Sequence, residues 1–329
     1  MNRITGSAVL ITGGAGFVGS AIADRVLSAG AAEVRVLDDL SRGTLRNLEH
    51  AASIGNLVVI TGDIRDPGTV DGAVNGVDYI FHQAALRITR CAEDPRAGIE
   101  VLVNGTLNVL ESAVRHGVRK VVAASSASVY GNPVYLPMDE KHPFENRTLY
   151  GAAKIANEQM FRAYYEMYRL PYIALRYFNV YGPRMDLDGV YTEVMVRWMD
   201  AIQAGKAPQI FGDGSQSMDF VYVEDVAEAN LAALQSDHTD DVFNVGTGEQ
   251  TTLKQLSTLL LCIYGSTVEP EYLPARFVNN VQARRADVRK AERILAFKAK
   301  TALETGLRAL VQWREGARSE LALSIGGAR

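Results

Sequence analysis

Short apolar, β-branched runs alternate with amphipathic stretches along the first half of the chain. Ala8-Val9-Leu10-Ile11-Thr12, Glu33-Val34-Arg35-Val36-Leu37-Asp38, Leu57-Val58-Val59-Ile60-Thr61 and residues 77–82, 120–124 and 172–179 read as strands. Residues 20–27 carry helical periodicity, a long helical pattern runs from about Arg96 to His116, and another starts at Tyr150 and continues through Phe161. This alternation predicts an α/β chain built on a doubly wound parallel sheet. After Asn179 the pattern changes. An amphipathic helix is expected within 185–208, a turn at 209–214, a strand over 218–223, and a helix that Glu224-Asp225 caps and starts. Further helices are expected near Leu253–Tyr264 and 302–314, building a smaller C-terminal lobe over the carboxyl ends of the sheet.

The first strand runs into Gly13-Gly14-Ala15-Gly16-Phe17-Val18-Gly19 and then a helix. Gly13, Gly16 and Gly19 permit a tight turn, close approach to a pyrophosphate and close helix–strand packing, with the helix N-terminus facing the phosphates. The second strand ends at Asp38, with Asp39 beside it, about 20 residues beyond the glycines. A carboxylate there accepts hydrogen bonds from a ribose diol and repels a 2′-phosphate, which favours NAD over NADP. Asp63 is placed either to reach the adenine amino group, with Ile64 on the adenine face, or to cap a turn. Ala84 and Ala85 are small enough for a cofactor to lie across the end of the fourth strand. His82 reads as a structural, hydrogen-bonding histidine. A hydroxyl at the end of the fifth strand would point into the ligand crevice of an open α/β sheet, and Ser126 is the choice among Ser125, Ser126 and Ser128.

The chain has 329 residues, a net charge of −4 and no basic block. That argues against nucleic-acid and membrane partners. Cys91 and Cys262 lie far apart with no metal-ligand spacing, so neither a disulfide framework nor a metal site is expected, and a cytoplasmic location fits. The Tyr150-Gly151-Ala152-Ala153-Lys154 stretch supplies the chemistry. On a helix Tyr150 and Lys154 share a face. A phenol with a reference pKa near ~10 needs a neighbouring cation to act as a base at neutral pH, and Lys154 is placed to depress it.

Together, Thr12–Gly19, Asp38, Asp63, Ser126 with Val129-Tyr130-Gly131, Tyr150/Lys154 and Arg176-Tyr177-Phe178-Asn179-Val180-Tyr181-Gly182-Pro183-Arg184 resemble the extended short-chain dehydrogenase/reductase family. The likeness is to its NAD-dependent nucleotide-sugar epimerases and dehydratases. The resemblance implies a Rossmann domain at 1–180, with 218–246 returning to it, and a substrate lobe of 181–217 and 247–329. It implies a tightly held NAD that also meets Tyr177, and a homodimer paired through two helices. The dehydratases carry Asp-Glu after the catalytic Ser/Thr, whereas this chain has Ala127 and Ser128, so elimination lacks its acid and base. The resemblance therefore implies a 4-epimerase of a UDP-hexose. Tyr150 would take the C4 hydroxyl proton, Ser126 would share it, and Lys154 would bind the nicotinamide ribose. Asn179, Thr192 and the Ile210 turn are expected at the substrate. Arg276 or Arg284 would meet the diphosphate in place of the arginine usually found at Met218, and Leu102 stands where an asparagine is usual. Arg87 and Arg90 read either as a solvated basic loop or as a carboxylate clamp for a uronic acid. Alternatives on the same fold are a UDP-glucuronate 4-epimerase or decarboxylase, a nucleotide-sugar reductase, and a catalytically silent NAD-binding regulator.

Overall fold

The computed structural model describes residues 3–186, 194–275 and 281–326. The alternating first half gives β1 (Ala8–Thr12), α1 (Phe17–Ser28), β2 (Glu33–Asp38), β3 (Leu57–Thr61), β4 (Tyr79–His82), β5 (Lys120–Ser126) and β6 (Tyr172–Tyr177). Then follow β7 (Asn179–Tyr181), β8 (Gln209–Phe211), β9 (Ser217–Met218), β10 (Phe220–Tyr222), β11 (Asp241–Val245), β12 (Thr251–Thr252) and β13 (Glu271–Leu273). Seven of them form one parallel sheet ordered β11-β6-β5-β4-β1-β2-β3. From β1 the chain winds one way through β2 and β3, then returns to add β4 on the other side. The crevice of a doubly wound sheet opens at this reversal, beyond the carboxyl ends of β1 and β4.

Helices cover both faces, so β6 is buried along its whole length and reads as a continuous run rather than an alternation. On one face Ile22 and Val26 of α1 pack with Val226 and Leu234 of the helix Val223–Gln235 against Phe81 and Phe243. On the other, Val70, Val109, Leu110 and Phe161 pack on Ile80 and Val121. A third cluster joins Trp198, Met199, Leu256, Leu260, Leu307 and Leu310 to Tyr181, Phe220 and Tyr222.

Several expected elements differ in detail from the pattern. The pattern from Arg96 to His116 resolves into Pro95–Ile99, a π-helical turn at Glu100–Asn104 and the helix Gly105–Arg115. The turn widens where Gly105 meets Ile64; a Cβ there would stand 2.5 Å from Ile64 Cδ1. Within 185–208 the described helix is Val194–Gln203. The strand expected over 218–223 breaks at Asp219, which is fully buried. Its carboxylate accepts from the backbone N–H groups of Thr247, Gly248 and Ala286 and from the Thr247 hydroxyl, at 2.7–3.1 Å. Four donors offset the burial of one carboxylate, and the segment carrying Arg284 is thereby tied to the sheet. Asp225 does not cap its own helix. It accepts from Lys300 N and Thr301 N instead, bridging two distant segments.

The helix Leu149–Tyr168 is held on the sheet by a buried network. Arg176 of β6 makes a two-pronged contact with Glu158, at 2.8 and 2.6 Å, and donates to the Tyr130 hydroxyl and the Glu140 carbonyl. Glu158 also accepts from Ser125 at the end of β5. It lies one turn beyond Lys154, so this network sets the depth of the helix that carries Tyr150 and Lys154.

Candidate active site

A cleft of about 750 Å³ opens along the carboxyl ends of β1, β2, β4, β5 and β6. Its lining includes Gly13, Gly16, Phe17, Val18, Gly19, Asp38, Asp39, Asp63, Ile64, Ala84, Ala85, Tyr150, Lys154 and Tyr177. Every position expected to meet a dinucleotide is therefore on one surface. The glycines are required by geometry. Gly13 has φ +66°, and a Cβ there would lie 2.8 Å from the Ala84 backbone. A Cβ on Gly19 would stand 2.2 Å from the Gly13 carbonyl. Gly16 caps α1 without a side-chain hydrogen bond, so the first N–H groups of this helix remain available to an anion.

Asp38 is buried, and burial pushes its carboxyl above the usual carboxylate range. Backbone donors Leu40 and Ala15, each at 2.9 Å, counter that rise and hold the group at the cleft wall. Asp63 accepts from both the backbone and the guanidinium of Arg65, which hold its carboxyl low. The Tyr177 hydroxyl sits between Gln83 and Asn230 at 3.1 and 3.0 Å. His82 is structural, as its sequence context suggests. It bridges Thr12 at 2.7 Å and Thr106 at 2.9 Å. Thr106 gives its hydrogen to the Leu102 carbonyl, so it can only accept from His82 Nε2, and His82 Nδ1 accepts from Thr12. Burial holds this neutral imidazole down to a pKa of about 3.

The Thr148 side chain accepts from Gly151 N at 3.1 Å and starts the helix, placing Tyr150 in its first turn with Lys154 one turn on. The Ser126 hydroxyl accepts from Ser128 N at 3.1 Å and lies close enough to the Tyr150 phenol to lower its pKa. Lys154 is buried, donates to the Ala124 carbonyl at 2.7 Å, and lies 5.8 Å from the centre of the Tyr150 ring. The expected depression of Tyr150 by Lys154 is not found. Burial pushes the phenol up to about 12, against smaller lowering effects from Ser126 and Arg284. Burial also pushes Lys154 down to about 8. The Lys154 ammonium is aimed at a carbonyl, and desolvation outweighs its field at the phenol.

The expected substrate positions separate. Arg87 lines the cleft and pairs with Asp186 at 3.2 Å. Arg90 is exposed against Glu93 and Asp94, which supports the solvated reading for it. Asn179 opens β7 and donates its backbone N–H to the Asp219 carbonyl; it does not line the cleft. The Ile210 side chain is fully buried in the third cluster. Thr192 and Arg276 lie outside the described residues. Arg284 is half-buried beside Tyr150. Burial lowers it to about 10, and its buried Nε has no hydrogen-bond partner among the described residues. Composition and spacing gave no signal for Trp313 and Ala317, which reach the cleft from the helix Leu303–Gly326. Among the described residues no group of three or more His, Cys, Asp or Glu could hold a metal, and no helix is long and apolar enough to cross a membrane.

Residues 9–246 match the model of the NAD dependent epimerase/dehydratase family. The chain belongs to that family. A putative UDP-glucose 4-epimerase of Methanocaldococcus jannaschii is 37% identical over 309 residues, covering 93% of this chain and 97% of the relative. A UDP-N-acetyl-alpha-D-glucosaminuronate decarboxylase of Bacillus cytotoxicus is 30% identical over 315 residues, covering 92% and 96%. The crystal structure of the Thermotoga maritima UDP-glucose 4-epimerase with UDP-glucose superposes with a TM-score of 0.88 at 34% identity, covering 94% of this chain and 99% of that one. Within an epimerase/dehydratase fold, the two positions after Ser126 take on meaning. Ala127 and Ser128 are both buried, and neither carries a carboxyl group toward the cleft. Met218, at the position expected to differ, lies in β9 paired with Thr251 and outside the cleft lining.

Proposed function

We propose that the chain is an NAD-dependent 4-epimerase of a UDP-hexose, acting through a transient 4-keto sugar. The observation that supports this best is a cleft lined by Tyr150, Lys154 and every position expected to meet NAD, with Ser126 beside Tyr150 although Ser125 is the serine that lines the cleft. The uncapped α1 N-terminus and the Gly13–Ala84 approach suit a dinucleotide diphosphate. When bound, NAD supplies the acceptor and donor for the C4 hydride.

The residues of this chain govern the proton. Tyr150 exchanges it with O4, Ser126 holds the phenol in register, and Lys154 retains N–H groups beyond its bond to Ala124 for a ribose hydroxyl. At pH 7 a phenol held near 12 stands five pKa units above the medium, about 7 kcal/mol from ionisation. One further positive charge within about 6 Å contributes about 3 kcal/mol at an effective dielectric near 20. A neighbouring positive charge therefore offsets less than half of the cost of ionising Tyr150.

A second reading, UDP-glucuronate as the substrate, is favoured by Arg284. Its charge acts on Tyr150, and no described carboxylate pairs with it. A C6 carboxylate would supply that partner. Arg87, engaged with Asp186, suits that role less well. NMR of purified protein with UDP-glucose, UDP-N-acetylglucosamine or UDP-glucuronate, without added cofactor, tests both readings. The C4 epimer of a neutral sugar supports the first, and the C4 epimer of the uronate supports the second. A pentose product would replace both with decarboxylation, and no turnover even with added NAD would defeat them.

A further inference from the structure

The crevice carries one ion-paired group that the proposed chemistry does not use. Asp186 Oδ2 lies 2.8 Å from Arg42 Nη2 and 3.2 Å from Arg87 Nη2, and all three residues line the cleft. Arg42 follows β2 and Arg87 follows β4, the two strands that flank β1 in the sheet. A carboxylate joining those loops ties together the segments that follow the two neighbours of β1. Asp186 is itself anchored. Arg184, two residues earlier, pairs with Asp24 of α1 at 2.7 Å, and Met185 is buried with its N–H on the Gly182 carbonyl.

We propose that Asp186 is a positioning residue that straps the β2 and β4 loops together over the dinucleotide and slows its escape. This rests on the NAD reading above. A carboxylate shared by two guanidiniums relieves the repulsion between them and holds both arginines at the cleft. A carboxylate that merely competed with the diphosphate for the arginines would have the opposite effect on retention.

The test measures release of NAD from purified holoprotein at low and high salt, for wild type, Asp186→Asn, Arg42→Gln and the double variant. Two partly exposed ion pairs sharing one carboxylate correspond to release about threefold to tenfold faster from Asp186→Asn at low salt. The difference should shrink at high salt as screening weakens the strap in wild type. The double variant should release NAD no faster than the faster single one, because both substitutions cut the same bridge. Unchanged or slower release from Asp186→Asn, with wild type still carrying NAD, overturns the strap and leaves the cofactor reading standing. Wild type that neither carries nor binds NAD overturns both.

Discussion

The two ends of β5 each hold a buried lysine, and the lysines differ in one respect. Lys120, at the amino end, is 1% exposed, and Lys154, packed against the carboxyl end, is 3% exposed; burial lowers both to about 8. Lys120 gives all three of its hydrogens to the carbonyls of Ala233, Ser236 and His238, closing the C-terminus of the helix Val223–Gln235. Lys154 gives one to Ala124, and its remaining donors face the cleft. Equal burial and equal titration therefore accompany opposite roles, and donor saturation distinguishes them. A related contrast separates Arg176, which makes four hydrogen bonds to Glu158, Tyr130 and Glu140, from Arg284, whose Nε is unmatched. Arg314 shows that an unmatched Nε alone does not mark a ligand site, since it is buried outside the cleft with its Nε also unmatched, so Lys154 is the clearer case.

The largest effect should come at the carboxyl end. Tyr150→Phe is expected to lower turnover by about 10³-fold, within the usual range for removing an acid–base group, with bound NAD and thermal midpoint unchanged. Steady-state kinetics, NAD content and calorimetry check this. At the amino end, Lys120→Met should leave turnover intact and cost roughly 3 kcal/mol in urea unfolding, because three buried carbonyls lose their donor. Loss of turnover without loss of stability in Lys120→Met would break the comparison.

His82 sharpens it through pH. Its pKa is about 3 in the folded protein against 6.5 unfolded, so between these values the unfolded chain binds more protons. The His82 contribution is complete above pH 6.5 and declines as pH falls toward 3, by roughly 2 kcal/mol at pH 5. Urea unfolding of His82→Gln should show a shallower fall between pH 6.5 and 5 than wild type. The smallest effect belongs to Arg284. Arg284→Gln should reduce kcat/KM for UDP-glucuronate relative to UDP-glucose by about tenfold, the size of one charge-assisted hydrogen bond. An unchanged ratio would remove the uronate reading.

The cofactor side of the cleft was legible in the chain because each part is local. A strand, its turn and the following helix are contiguous, and a strand-end carboxylate sits at a fixed distance from them. The substrate side depends on returns across the fold. Ile210 was expected at the substrate from the resemblance alone, and nothing in the chain signals that its side chain packs in the third cluster. Asp225 looked like a cap, yet its partners are about 75 residues away. Trp313 lies on a helix that the periodicity predicts, but no nearby residue signals that this helix borders a cleft formed by the first strands. The raised Tyr150 phenol was also hidden, because spacing shows that Lys154 is near but not how completely the pair is desolvated.

The most direct test of the central claim uses UDP-hexose deuterated at C4, incubated with purified protein in ordinary water and followed by NMR and mass spectrometry. If the C4 hydride leaves and returns within one cleft while Tyr150 exchanges only the hydroxyl proton, the epimer keeps its deuterium at C4. Washout of deuterium to water in the epimer would contradict the account, because the C4 hydrogen would then have moved as a proton.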